Sequence, residues 1–178
     1  MRLFHVSEND SIVEFKPIKP YRKDIDQSVG LVWAINERAL PNFFTPRDCP
    51  RVTYHVAPKT TTFDKETYFS SPHVHHCIAI EHQWVSVLKN AKLTVYEFDP
   101  KNFILQDESA CYYVSENVEV PIAKYTINDI FKALKDRNVE VKILPEIISL
   151  IDKIIHTSFY WSMCRMHHAT PLNKQREC

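Results

Sequence analysis

Gly30 is the only glycine in 178 residues, where an ordinary frequency of roughly 7% would supply about twelve. That scarcity removes whole classes of site. A Gly-x-Gly-x-x-Gly dinucleotide fingerprint, a phosphate-cradling P-loop and a Gly-x-Ser-x-Gly nucleophile elbow each need several positions that only glycine fills. Sharp turns fall instead to the 11 prolines and to Asn, Asp and Ser.

The chain has an ordinary hydrophobic share of 44% and charged share of 25%, which suits one globular domain over residues 1–178. Lys plus Arg and Asp plus Glu are balanced at 22 each. Without a basic excess or stripe, the composition argues against a nucleic-acid partner. Apolar runs stay well short of the roughly 20 residues of a membrane helix. MRLFHVSEND turns polar at once, unlike a signal peptide. Cys49, Cys77, Cys111, Cys164 and Cys178 are scattered and odd in number, which reads as reduced thiols in a cytoplasmic protein. Frequent isoleucine, lysine and asparagine fit an AT-rich bacterial gene.

Alternation in RLFHVS (2–7) predicts a strand with Leu3, His5 and Ser7 on one face. Residues 8–29, with Pro17 and Pro20, read as a long loop. LVWAI (31–35), RVTYHV (51–56), CIAIE (77–81), KLTVYEF (92–98), CYYVS (111–115) and VEVKIL (139–144) are further strands. NERALPNFF suggests a helical turn, and residues 83–90 a short helix. Two helices are expected late. The first is capped by Thr126 with Asp129 in its first turn. The second starts at Pro145, with Ile147, Ile151, Ile154 and Ile155 as its apolar stripe. The tail SFYWSMCRMHHA is too apolar to be disordered. The expectation is an α+β fold with a mixed, mainly antiparallel sheet core and helices concentrated in the C-terminal third.

Several groups could carry chemistry. His73, His75 and His76 lie beside Cys77, types that zinc accepts, although the spacing matches no known finger; a polar loop entering a strand explains them as well. Arg47 and Arg51 flank Cys49 and could lower its pKa, or Cys49 is simply packed. Arg47, Asp48 and Arg51 between two prolines suit a fork for a carboxylate or phosphate, or a local ion pair. His5 stands mid-strand between apolar neighbours.

LFHVSEND, GLVWAINERALPNFFTPRDCPRV, YYVSENVEVP and SFYWSMCRMHHA together resemble an uncharacterised bacterial family, across essentially the whole chain. More weakly, the ordered series LFHVS, GLVWAI, YYVS is similar to ADP-ribosyltransferase-like proteins. That resemblance implies an NAD or nucleotide ligand and an ADP-ribosyl (glycosyl) transferase activity. It places His5 and Trp33 in the cofactor pocket and Glu116 as the acid, with Glu108 and Glu119 as competitors for that role. Arg47, Arg51 and Arg165 become phosphate contacts. The chain departs from that pattern at Val6, where a glycine usually follows the histidine, and at Trp33, where tyrosine is usual. Two other readings are a non-enzymatic binding protein of the same fold and a metal-binding protein built on His73, His75 and His76.

Overall fold

The computed structural model describes residues 1–20 and 25–172; Cys178 and part of the 8–29 loop lie outside them. In chain order the strands are β1 (Leu3–Ser7), β2 (Val32–Asn36), β3 (Arg51–His55), β4 (His76–Glu81), β5 (Leu93–Phe98), β6 (Ile104–Asp107), β7 (Tyr112–Ser115), β8 (Ala123–Ile127), β9 (Glu140–Leu144) and β10 (Tyr160–Cys164). The α-helices are α1 (Thr62–Tyr68), α2 (Val85–Asn90), α3 (Ile130–Asp136) and α4 (Ile148–Ile154). The fold is therefore α+β on two mostly antiparallel sheets.

The chain forms two compact units. The first comprises residues 1–44 and 92–128; the second comprises 45–91 and the chain from Asp129 on. The first holds the sheet β6-β7-β2-β1-β5-β8, antiparallel throughout. Register sorts its side chains. Leu3 pairs with Asn36 and His5 with Tyr96, so Leu3, His5, Ala34 and Tyr96 share a face. Phe4 pairs with Ile35 and Ile35 with Tyr112, which puts Phe4, Trp33, Ile35 and Tyr112 on the other. Leu3, Val32, Ala34, Phe98 and Phe103 form the buried core of the first face.

The second unit holds the sheet β10-β3-β4-β9, parallel only between β4 and β9. Its core gathers Val52, Tyr54, Phe69, Cys77, Ile147, Ile154 and Phe159. At its margin Asp64 links α1 to the chain before β10. Its carboxylate accepts from the Ser158 amide at 2.8 Å and from the Ser158 hydroxyl. Burial alone would raise the Asp64 pKa, but the two Ser158 bonds and the Thr61 hydroxyl outweigh it, holding the carboxyl below the ordinary aspartate range. A depressed carboxylate contributes stability that is present above its unfolded pKa and lost as pH falls through its folded value. Asp64 should therefore contribute to a fall in melting temperature below about pH 4, and Asp64→Asn should lessen that fall. An unchanged fall would contradict this role.

The helices depart from expectation. α2 falls within the short helix expected at residues 83–90, but α1 has no counterpart among the expected elements, and with two of the four described α-helices before residue 92 they are not concentrated in the last third. α1 is short and mostly exposed, and no apolar stripe announces it, although Thr61 caps it by accepting from the Asp64 amide at 3.1 Å. Thr126 does not cap α3, because it is drawn into β8 opposite Thr94. Asp129 is the cap, accepting from the Lys132 amide at 2.9 Å. α4 begins after Pro145 and Glu146, and the Glu146 carboxylate meets the Ser149 amide at 2.9 Å.

Left-handed backbone occurs at Cys111, Asn138 and Arg165, none of them glycine. Gly30 is not left-handed; its constraint is space. A Cβ there would lie 3.1 Å from the Pro17 carbonyl carbon, Cβ and oxygen. Ile18 and Leu31 exchange backbone bonds of 3.1 and 2.9 Å beside it, which holds the two segments together. Gly30→Ala should cost about 1–2 kcal/mol by overpacking, despite a gain of about 0.4–1 kcal/mol from a stiffer unfolded chain. Urea unfolding checks this, and an unchanged midpoint would contradict it.

Candidate functional site

His5 sits on β1 where its ladder to β2 ends. The paired register covers Leu3 and Phe4 only, whereas β1 stays paired to β5 as far as Ser7. In that gap His5 Nδ1 lies 3.0 Å from the Trp33 carbonyl oxygen. A carbonyl only accepts, so Nδ1 carries the proton, and in neutral imidazole Nε2 is the acceptor. The half-buried ring packs on Phe15, with centroids 4.9 Å apart. Phe15 also packs edge-on against Tyr96 (5.2 Å) and Phe98 (5.0 Å). The segment carrying Phe15 is held down by Tyr96, whose hydroxyl donates to the Asn9 carbonyl at 2.8 Å and accepts from the Ile12 amide at 3.2 Å.

Phe15 joins this histidine to a carboxylate. Its backbone exchanges two bonds with Glu119, of 2.8 and 2.9 Å. Glu119 is only 6% exposed. Its Oε1 accepts from the Ser115 hydroxyl at 2.5 Å, and no cation pairs with it among the described residues. Phe15 thus packs its ring on His5 and pairs its backbone with a residue whose carboxylate is buried.

The structure sorts the other candidates. Glu116 is exposed in the turn after β7 and makes no hydrogen bond among the described residues. Glu108 lines a separate cleft near Arg38. The Trp33 carbonyl meets His5, but its ring lies on the opposite face of the sheet, edge-on to Tyr112 at 5.6 Å.

Arg47, Arg51 and Arg165 belong to the second unit. Arg165 Nε donates to the Arg47 carbonyl at 3.0 Å. Arg51 is turned inward and donates to the Cys49 carbonyl at 3.0 Å. Asp48 lies 3.8 Å from His168 Nε2, an ion pair when that histidine is protonated.

Cys49 is a packed residue. Burial pushes its thiol up to about 12, against the opposing pull of Arg51. Cys77 is likewise raised to about 12 by burial. The histidine cluster separates: His73 and His75 are exposed, and His76 is buried on β4 and stacked on His55 at 5.1 Å. Cys77 follows on the opposite face of the strand. Among the described residues no three His, Cys, Asp or Glu side chains are grouped to hold a metal, and no helix is long and apolar enough to cross a membrane.

Fold and geometry together define an α+β protein on two mostly antiparallel sheets, with a histidine and a buried carboxylate bridged by one phenylalanine. The chain belongs to the family of unknown function DUF6886, whose model matches residues 4–169. Neither curated proteins nor solved structures give a significant match.

Proposed function

We propose that the protein binds NAD or a related nucleotide at the His5–Glu119 patch and acts as an ADP-ribosyltransferase-like enzyme. The observation that carries the reading is Phe15, whose ring packs on the His5 imidazole and whose backbone pairs with Glu119, a residue with a buried carboxylate and no cation paired to it among the described residues. The order of LFHVS, GLVWAI and YYVS along the chain supports it. On this reading Glu119, not Glu116, is the acid. Cleavage of the nicotinamide–ribose bond releases nicotinamide with the bonding electron pair and leaves an oxocarbenium-like ribosyl cation. Glu119 stabilises that charge, and water or an acceptor nucleophile then adds to it. His5 Nε2 accepts from a ribose hydroxyl, while the Trp33 carbonyl keeps the ring in place. The chemistry needs no glycine-rich loop.

The test is nicotinamide release from NAD by the purified protein and by His5→Ala. The reading expects turnover that falls at least about tenfold in the variant, the loss of one good hydrogen bond to the substrate. NAD binding without turnover, weakened in His5→Ala, would favour a non-enzymatic binding protein. Equal behaviour of both forms would overturn the assignment of His5.

A further inference from the structure

A second site lies elsewhere in the first unit. A cleft of about 550 Å³ opens beside the start of β1, within the size range of small-ligand sites. His5, Phe15 and Glu119 do not line it. Its wall carries charge of both signs: Arg2 and Arg38, and Glu37 and Glu108. Arg2 is already committed, donating from Nε to Glu97 at 2.7 Å and from Nη1 to Glu37 at 3.4 Å. Two neutral donors are not. Asn36 uses Oδ1 to accept from the Ala39 amide at 3.1 Å, which leaves its Nδ2 pair without a partner among the described residues. The Tyr113 hydroxyl also makes no hydrogen bond among the described residues. Both groups are half-buried, so a ligand that bonds them replaces little water.

We propose that this cleft binds a small zwitterion of the amino-acid class. Asn36 Nδ2 and the Tyr113 hydroxyl donate to its carboxylate in the field of the Arg38 guanidinium, and Glu37 and Glu108 face its ammonium. With Arg2 and Arg38 balancing Glu37 and Glu108, the wall carries no net charge, which favours a ligand with one charge of each sign over a plain anion. A plain cation leaves the two donors unanswered.

The test titrates the full-length protein with each of the twenty amino acids as separate probes, by calorimetry and by amide chemical shifts. The N-acetyl and the carboxamide forms of any that bind follow. The proposal expects saturable binding of at least one free amino acid, with both blocked forms about tenfold or more weaker. Tyr113→Phe, which keeps the ring in the core, and Asn36→Asp, which keeps the acceptor for Ala39, should each weaken binding about tenfold with unchanged melting temperature. His5→Ala should leave it intact, which separates this site from the nucleotide patch. Absence of saturation up to about 10 mM, well above the usual range for metabolite sites, would overturn the proposal. So would equal binding of the N-acetyl form, or indifference to both variants.

Discussion

Glu119→Gln should lower nicotinamide release from NAD on the order of a hundredfold or more, the scale on which removing a charge-stabilising group acts. Nucleotide affinity should change little. The amide keeps the shape of the carboxylate and still offers an oxygen to the Ser115 hydroxyl, now 2.5 Å from Oε1. What it loses is the negative charge, which matters when the ribosyl cation forms. Glu116→Gln is the matched control: that side chain is exposed and unbonded among the described residues, so its activity should stay within about twofold of wild type. Equal losses in the two variants, or a loss in Glu116→Gln alone, would return the catalytic role to the turn after β7.

Tyr54→Ala should cost about 3–5 kcal/mol, the cost of emptying a large aromatic site in a packed core. Tyr54 is 0% exposed. Its ring lies 5.2 Å from Phe159, 5.5 Å from Phe69 and 6.4 Å from Tyr68. Those residues come from the chain just before β10, the chain just after α1 and the end of α1 itself, so the cavity would open where these segments meet. Tyr54→Phe isolates the hydroxyl, which donates to the Tyr68 carbonyl at 3.0 Å. The same carbonyl accepts from Lys142 Nζ at 2.5 Å, so it is not left orphaned and the loss should be about 1 kcal/mol. Urea unfolding followed by near-ultraviolet circular dichroism reads both. A cost below about 1 kcal/mol for Tyr54→Ala would mean that the site collapses without penalty.

The sequence disclosed strands wherever an apolar face alternates with a polar one. β1, β2, β3, β4, β5, β7 and β9 fall within a residue or two of their predicted spans. β8 and β6 were invisible because AKYTI and ILQD are largely exposed; they are edge strands, held by backbone pairing to a neighbour rather than by burial. β10 was legible as ordered, but its aromatic run has no periodicity to reveal its type.

The site was half legible for a sharper reason. Alternation within RLFHVS places His5 on the Leu3 face, and the structure agrees. The face of Trp33 relative to His5 depends on the register between β1 and β2, and a one-residue slip inverts it. No pattern in either strand encodes that register, so grouping the two rings in one pocket was beyond what the sequence supports. Phe15 was hidden in a polar loop with no motif. The resemblance favours Glu116, with Glu119 only a competitor, and nothing in the sequence shows that the Phe15 pairing buries Glu119 while the turn exposes Glu116.

The account rests on His5 and Glu119 facing the same ligand. The most direct measurement is a titration of the protein with NAD while the His5 imidazole resonances are followed by nuclear magnetic resonance, in wild type and in Glu119→Gln. The account predicts saturable His5 shifts at NAD concentrations up to about 1 mM, the upper range of ordinary substrate affinities. Glu119→Gln should retain them at similar affinity while its turnover collapses. His5 resonances that do not move up to that concentration, while the fold is intact, would contradict it.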